Sequence, residues 1–415
     1  MVCALGNGSP RERKGPAVQH PPQSKDQASV EALRSVSIVV PTYREAENLP
    51  HLLARLSEAM DPFCGDYEIL VVDDDSRDGT EQAVTAMAAE GVPVRLITRV
   101  DERGLSSAVL RGFAEARGDV LVCMDADLSH PPEVAPQLVQ ALRDGADFVI
   151  GSRYAPGGGT EAGWGLLRWV NSKGATLLAR PFTKAKDPMS GFFCLSRERF
   201  ESADALNPIG YKIGLELIVK CGCKDVREVP IFFADRKHGQ SKLTLGEQLR
   251  YIRHLRRLAD YRFGAMSKFF QFCLVGVSGT AVDLGVYLPL LVAFPETVFW
   301  TGVARAGGIS VGMTWNFFVH YMITYKDRRA GSVARQYLKF AASCSVGAVV
   351  NWAVSIGLVK YVPFFSRHRF LAAFGGIAAG LAFNFLLTHC WVFRGRGACD
   401  TAPRSPADTP RRGGH

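Results

Sequence analysis

The 415-residue chain predicts an α/β domain followed by an all-α, four-helix transmembrane domain. Three observations carry this reading. Short apolar runs alternate with helical spacings up to about residue 245, acidic residues collect where those runs end, and four long apolar stretches follow residue 265. Hydrophobic residues make up 47% and charged residues 21%, with a mean hydropathy of +0.04, high for a soluble protein. Disorder throughout is excluded, and so is a chain lying wholly in a membrane, because the first 265 residues are mixed and charged.

Taken in order, residues 1–34 are polar, lack the apolar stretch of a cleaved secretory signal and read as a disordered tail. VSIVV at 36–40 is β-branched and reads as a buried strand. Helical spacing runs from Asn48 to Ala59. EILVVDD at 68–74 is a second strand, and Asp78-Gly79-Thr80 leads into a helix. VRLITR at 94–99 is a third strand, followed by a helix over Ser106–Ala116. DVLVCMDAD at 119–127 is a fourth strand ending in acid, and DFVIGSR at 147–153 a fifth. Strands alternating with helices predict a mostly parallel sheet, which binds ligands at the carboxyl ends of its strands.

RYIRHLRRLADYRFG at 250–264 places Arg250, Arg253 and Arg257 at helical spacing with Leu249, Ile252 and Leu255. This is an amphipathic helix suited to an anionic leaflet. The apolar stretches at roughly 269–294, 298–325, 337–362 and 370–393 each exceed the ~20 residues that cross a bilayer. The region repeats itself: WNFFVHYMITYK (315–326) resembles FNFLLTHCWVFR (383–394), and KFFQFCLVG (268–276) resembles KFAASCSVG (339–347). Asp283 and Arg305 are costly in lipid and are expected to pair. Asn316 and Asn384 are expected to hydrogen-bond between the repeated halves. Gly276, Gly279, Gly347 and Gly380 offer small surfaces on which a second copy could pack into a homo-oligomer.

Lys326, Arg328, Arg329, Arg335 and Lys339 crowd the 326–339 connection, the 295–297 connection has no Lys or Arg, and Arg394 and Arg396 follow the last span. Arg367 and Arg369 weaken this asymmetry. On balance a multi-pass protein is expected, with its catalytic domain and both termini cytoplasmic, in the cell membrane if the source is prokaryotic. The expected organisation is a tail (1–34), an α/β domain (35–245), an interfacial helix (246–265), a transmembrane domain (266–394) and a second disordered tail (395–415).

Lys plus Arg number 49 against 40 Asp plus Glu, a net charge of +9 that favours anionic partners. On charge alone these are nucleic acid, phosphate groups or a lipid surface; with the apolar stretches and the resemblance described below, a lipid bilayer and no nucleic acid are expected. The ten cysteines are scattered, with Cys221 and Cys223 as C-x-C, so neither a zinc site nor a disulfide framework is visible and a reducing compartment is expected. Asp125-Ala126-Asp127 ends an apolar strand. Two carboxylates converging there suit a hard divalent cation that also binds substrate phosphates. Asp73-Asp74-Asp75 and Pro41-Thr42-Tyr43-Arg44-Glu45 end two more strands, and three acidic strand ends in one sheet point to a site. Asp73 and Asp75 read equally well as turn residues, Glu45 as a residue of a first helical turn, and Arg168 as a surface residue.

VSIVVPTYREAENL, ILVVDDDSRDGT, VLVCMDADLSHPPE and SRYAPGG resemble the inverting family 2 glycosyltransferases. DPMSGFF (187–193) and FFADRKHGQSKL (232–243) resemble the polyprenyl-phosphate (dolichol-phosphate) mannose synthase group within it, over about 36–245. The apolar region is similar to the GtrA-like four-helix membrane domain. The resemblance implies a GT-A fold, a nucleotide-sugar donor such as GDP-mannose, and a polyprenyl or dolichyl phosphate acceptor. It implies Mg²⁺ or Mn²⁺ at Asp125, Asp127 and Ser129, where Ser129 replaces a Gln common in archaeal relatives. Donor contacts are implied for Pro41, Tyr43, Glu45, Val72, Asp74, Asp125, Ala126, Asp127, Arg236 and Lys242, with Gly239 and Ser241 shaping the last loop. Acceptor-phosphate contacts are implied for Arg153, Arg168 and Ser172, and the catalytic set is Asp125, Asp127, Arg153 and Arg236. UDP-glucose as donor stays open, as does a lipid-sugar flippase or scaffold. A processive synthase is disfavoured, because Gly165 stands where the Q-x-x-R-W motif needs Gln before Arg168-Trp169.

Overall fold

The computed structural model describes residues 33–160, 166–210, 212–234, 245–295, 297–329 and 331–394. The chain divides into two compact units, Met1–Leu258 and Ala259–His415. The first holds strands β1 (Val36–Thr42), β2 (Tyr67–Asp73), β3 (Val94–Thr98), β4 (Val120–Cys123), β5 (Phe148–Ser152), β6 (Gly159–Thr160), β7 (Phe193–Ser196), β8 (Val226–Pro230) and β9 (Phe232–Phe233). Its helices are α1 (Leu49–Met60), α2 (Thr80–Ala89), α3 (Leu105–Glu115), α4 (Ala135–Arg143), α5 (Leu166–Ala179), α6 (Arg197–Glu201), α7 (Ile213–Lys220) and most of α8 (Leu245–Phe263). The five predicted strands and the helices between them are present.

The main sheet has seven strands in the order β3-β2-β1-β4-β7-β5-β8. β7 runs antiparallel to both β4 and β5, and the other neighbours are parallel. Sequence reading did not find β7 or β8. The reversal matters for function. Phe193 at the start of β7 faces Cys123 of β4 and Ile150 of β5, so the 187–192 loop reaches the carboxyl ends of both strands.

Period-2 alternation builds two cores. Val36, Ile38, Val40, Ile69 and Val71 face one side with Leu49, Leu52, Leu53 and Leu56 of α1 and Leu138 of α4. Val39, Leu70, Val72, Leu121 and Phe148 face the other with Val109 and Phe113 of α3 and Leu217 of α7. Each such Leu or Val side chain, fully buried, contributes about 1.5–3 kcal/mol of transfer free energy. α8 is seated on the unit by one face. The Tyr251 hydroxyl donates to the Ala175 carbonyl at 2.8 Å, and His254 Nδ1 lies 3.6 Å from Glu216 Oε2. Leu249, Arg250, Ile252 and Arg253 point outward.

The second unit contains α9 (Ala265–Ala293), α10 (Val298–Val319), α11 (Val333–Tyr361), the short α12 (Pro363–Arg367) and α13 (Arg369–Leu387). Among the described residues three helical segments are long and apolar enough to cross a membrane: Ala265–Ala293, Val333–Tyr361 and Leu371–Val392. The predicted second span forms the 22-residue α10 but is not one of these three. Arg305, Thr301, Ser310, Thr314 and Asn316 dilute its apolar surface.

The internal duplication is visible in three dimensions. Short π-helical segments, His320–Thr324 and Thr388–Val392, end α10 and α13. The Asn316 amide lies against Gly279, and the Asn384 amide against Gly347. Gly312 approaches the Gly279 carbonyl as Gly380 approaches that of Gly347. This equates Gly279 with Gly347, and corrects the sequence alignment of 268–276 with 339–347, which had set Gly276 there. A three-residue slip nearly preserves a helix face, so the Lys, Phe and Gly spacing misled. The asparagines also differ from expectation. Each packs within its own helix pair, and both Oδ1 atoms lack a hydrogen-bond partner among the described residues. Gly279, Gly347 and Gly380 are used by these internal contacts, not left for a second copy. The expected Asp283–Arg305 pair forms, with Arg305 Nη1 2.9 Å from both Asp283 oxygens.

Candidate active site

The site lies at the carboxyl ends of β1, β2, β4 and β5. Parallel register puts Pro41 opposite Val72 and Thr42 opposite Asp73, so the segments carrying Tyr43, Glu45 and Asp74 leave two adjacent strands at the same end of the sheet. Pro41 and Val72 are buried. Tyr43 is exposed, with the Arg44 and Arg103 guanidinium groups 5.2 and 5.4 Å from its ring centroid. Glu45 Oε2 accepts from Asn48 Nδ2 at 2.7 Å, at the entry to α1. Asp74 is held in a buried ion pair: Arg99 Nε donates to Oδ1 at 2.8 Å and the Gly104 N–H to Oδ2 at 2.7 Å. Asp73 is a turn residue that accepts from Thr42 Oγ1 and from the Ser76 N–H and hydroxyl. Asp75 is half-buried and pairs with the exposed Arg77.

Beyond β4, Asp125 and Asp127 flank the buried Ala126. The Ser129 hydroxyl donates to Asp127 Oδ1 at 2.5 Å and its N–H to the same oxygen at 3.1 Å, which fixes that carboxylate. Leu128 between them has φ +58°, one of four non-glycine residues in the left-handed region among the described residues, with Arg44, Asp75 and Arg77. All four sit in loops after strands of this site, where such strain collects at about 1–3 kcal/mol each. His130 is buried, its Nδ1 3.7 Å from Asp125 Oδ2, and its ring lies between Phe192 and Phe233. Burial and the Arg153 charge push its pKa down, against the opposing pull of Asp125, Asp127 and Asp187.

Arg153, just after β5, was expected at the acceptor-phosphate site. It is already engaged: Nε and Nη2 donate to the two Asp187 oxygens at 2.7 Å each. Asp187 is fully buried, and its N–H is held by Glu228 Oε1 at 2.9 Å. Ser172 on α5 shares a hydrogen bond with Tyr154 Oη at 2.9 Å, and Arg168 lies one turn earlier with its side chain outside the described residues. Arg236, Gly239, Ser241 and Lys242 also lie outside them. Ala234 donates its N–H to the Ser129 carbonyl at 3.1 Å, which sets Ala234 beside the Asp127 loop.

Two contributors were missed in the sequence. Asp187 opens the quoted DPMSGFF motif without an assigned role, and Arg99 ends the third strand. An acid before Pro188 at a motif's start was a signal that could have been used.

Asp125 and Asp127 are hard oxygen donors, partly accessible, at one strand end. That donor set fits a divalent cation, although no group of three or more His, Cys, Asp or Glu side chains suited to a metal occurs among the described residues.

A seven-stranded α/β sheet with acids at its strand ends, joined to a helical unit of membrane-spanning character, defines a glycosyltransferase joined to a membrane domain. The chain belongs to glycosyl transferase family 2. That family matches residues 37–202, and the GtrA/DPMS transmembrane domain matches 271–393. It is similar to the dolichol-phosphate mannosyltransferase of Pyrococcus furiosus, 40% identical over 85% of this chain and 97% of that protein. It is 46% identical to the dolichol-phosphate mannosyltransferase of Saccharomyces cerevisiae, over 55% of this chain and 88% of that one. A polyprenol monophosphomannose synthase of Mycolicibacterium smegmatis is 38% identical over 53% of this chain and 85% of that one.

Proposed function

We propose that this membrane glycosyltransferase moves mannose from GDP-mannose to polyprenyl phosphate, with inversion. The observation that carries the reading is that similarity to a dolichol-phosphate mannosyltransferase extends over 97% of that protein, through both units. Pro41, Tyr43, Glu45, Val72 and Asp74 form the nucleoside pocket in this reading. Asp125 and Asp127 hold the cation, with Ser129 orienting Asp127. Bound there, Mg²⁺ or Mn²⁺ supplies Lewis-acid stabilisation of the charge that develops on the leaving diphosphate. Arg236 and Lys242 add positive charge to the same phosphates.

The acceptor is a phosphate monoester with a second pKa of about 6, largely dianionic at neutral pH. It needs no strong general base. It needs cations to offset repulsion from the donor, which Arg153 and Arg168 supply in this reading, with Ser172 as a further phosphate contact. Direct in-line attack turns an α-linked donor into a β-linked lipid sugar. The catalytic unit and both termini face the cytoplasm, where the basic 326–339 connection lies.

The test is radiolabelled transfer by the purified full-length protein to polyprenyl phosphate, comparing GDP-mannose with UDP-glucose, each with Mn²⁺ and with chelator. Metal-dependent lipid-linked mannose from GDP-mannose alone is expected. Transfer only from UDP-glucose would correct the donor. Folded, lipid-bound protein inactive with both would overturn the reading.

A further inference from the structure

We infer that Tyr154 is a positioning residue for the acceptor phosphate, and that Lys173, held against its ring, is a further phosphate-binding cation there. The inference rests on the transferase reading above. Tyr154 follows Arg153 in the turn after β5, and Ser172 and Lys173 lie on α5. The turn is fixed by the fully buried Ser152, whose Oγ accepts the N–H groups of Tyr154 and Ala155 at 3.2 and 3.1 Å. α5 is fixed separately. Thr176 Oγ1 donates to the Ser172 carbonyl at 2.9 Å, and the Tyr251 hydroxyl of α8 donates to the Ala175 carbonyl at 2.8 Å. The Tyr154 side chain bridges these two supports. Its hydroxyl shares a hydrogen bond with Ser172 Oγ at 2.9 Å. Lys173 Nζ lies 3.9 Å from its ring centroid, and Arg153 Cζ lies 5.5 Å from the same centroid.

Adjacent residues on a helix do not face one another, and a free lysine side chain samples many rotamers. An ammonium is attracted to the face of a tyrosine ring. That contact turns Lys173 toward the side chain that also holds Ser172. Arg153 and Ser172 are the acceptor-phosphate contacts of the reading above, so Tyr154 reaches both and adds a third polar group beside them. The Arg153 charge is matched by the two Asp187 oxygens. Lys173 is exposed and, among the described residues, forms no ion pair. Its ammonium is therefore the charge at this ring that an incoming phosphate dianion can match. A bilayer headgroup offers phosphate chemistry too, but the Ser172 hydroxyl and the Arg153 guanidinium beside the same ring assign Lys173 to the acceptor.

The experiment uses the full-length protein in detergent free of phospholipid. KM for polyprenyl phosphate, KM for GDP-mannose, kcat and a thermal melt are measured for wild type, Tyr154→Phe, Ser172→Ala, the Tyr154→Phe/Ser172→Ala double variant, Lys173→Met and Lys173→Arg. Tyr154→Phe should raise the acceptor KM about three- to tenfold, the range of one net hydrogen bond, and leave the donor KM within about twofold. The double variant should stay within about twofold of Ser172→Ala, because the lost hydroxyl acts through Ser172. Lys173→Met should raise the acceptor KM about threefold or more, and Lys173→Arg should return it to within about twofold of wild type. Additive losses in the double variant overturn the positioning role, as does a rise confined to the donor KM. If Tyr154→Phe melts early, Ser172→Ala breaks the same bond from the helix side, and an unchanged acceptor KM there overturns that role. An unchanged acceptor KM in Lys173→Met overturns the added cation, and so does an effect that appears only when anionic phospholipid vesicles are present. Wild type that transfers no mannose overturns the transferase reading itself, a separate outcome.

Discussion

Gly191→Ala tests how tightly the position of Asp125 is set. Gly191 does not lie in the left-handed region, so alanine suits its backbone. The new Cβ would lie 2.8 Å from Asp125 Oδ2, 2.9 Å from Oδ1 and 3.1 Å from Cγ. Unstrained C···O separations begin near about 3.3 Å, so the carboxylate must retreat by roughly half an ångström. The close atoms belong to the far end of a side chain and not to backbone, so the loss of fold stability should stay within about 1 kcal/mol. The site is less tolerant. Misplacement by about 1 Å costs ~10²-fold in rate, so half of that predicts about a tenfold fall in kcat/KM, or ~1.4 kcal/mol. The assay is the initial rate of mannosyl transfer at saturating polyprenyl phosphate over a range of GDP-mannose, with a thermal melt of the same preparation. Wild-type kcat/KM in a correctly folded variant would refute the reasoning.

Arg99→Met should destabilise the first unit by about 3–5 kcal/mol, because it strands the buried Asp74 carboxylate; an unmoved denaturation midpoint would count against it. Removing either Asp283 or Arg305 leaves its partner's charge in the helix pair, at a cost of about 2.5–3.5 kcal/mol. The charge-swapped Asp283→Arg/Arg305→Asp protein should recover the melting temperature lost by either single variant, and no rescue would sink that pairing. Glu68 gives a pH signature. Burial alone would raise its pKa, but the Ser37 hydroxyl, Arg95 and the Arg117 N–H outweigh it and hold the carboxyl below the usual 4.5. Its contribution to stability is therefore full above about pH 4.5 and is lost as pH falls through the lower folded value. The melting-temperature gap between wild type and Glu68→Gln should close over that acid range, and a gap constant down to pH 3 would disprove the assignment.

What could be read in advance followed from local pattern. The β-branched runs marked β1 to β5, and leucines at helical spacing marked α1, because period and propensity are properties of neighbouring residues. β7 was missed because it is four residues long and begins only at the last residue of a motif valued for its resemblance. Its antiparallel insertion depends on long-range pairing that no local window contains. The site divides in the same way. Asp125 and Asp127 were visible as an acidic strand end, whereas the Asp187–Arg153 clamp joins residues 34 positions apart. Asp74 was read as a donor contact, and its buried bond to Arg99 appeared only once β2 and β3 were paired. The Asp283–Arg305 pair was anticipated because two charges in apolar helices leave each other few alternatives. Asn316 packs instead against Gly279 in its own helix pair, a close steric fit that a search for polar partners overlooks.

The clamp on Arg153 bears on affinity. A free arginine gives up about 2 kcal/mol of rotamer entropy when a ligand immobilises it. In this protein the immobilisation accompanies folding, when Asp187 grips two of the guanidinium nitrogens. A phosphate arriving at Arg153 would find a donor already oriented, and little of its binding energy would be diverted into ordering that side chain. The corollary concerns selectivity. A fixed guanidinium cannot follow an anion of the wrong shape or offset, so a position held this firmly discriminates by geometry as much as by charge.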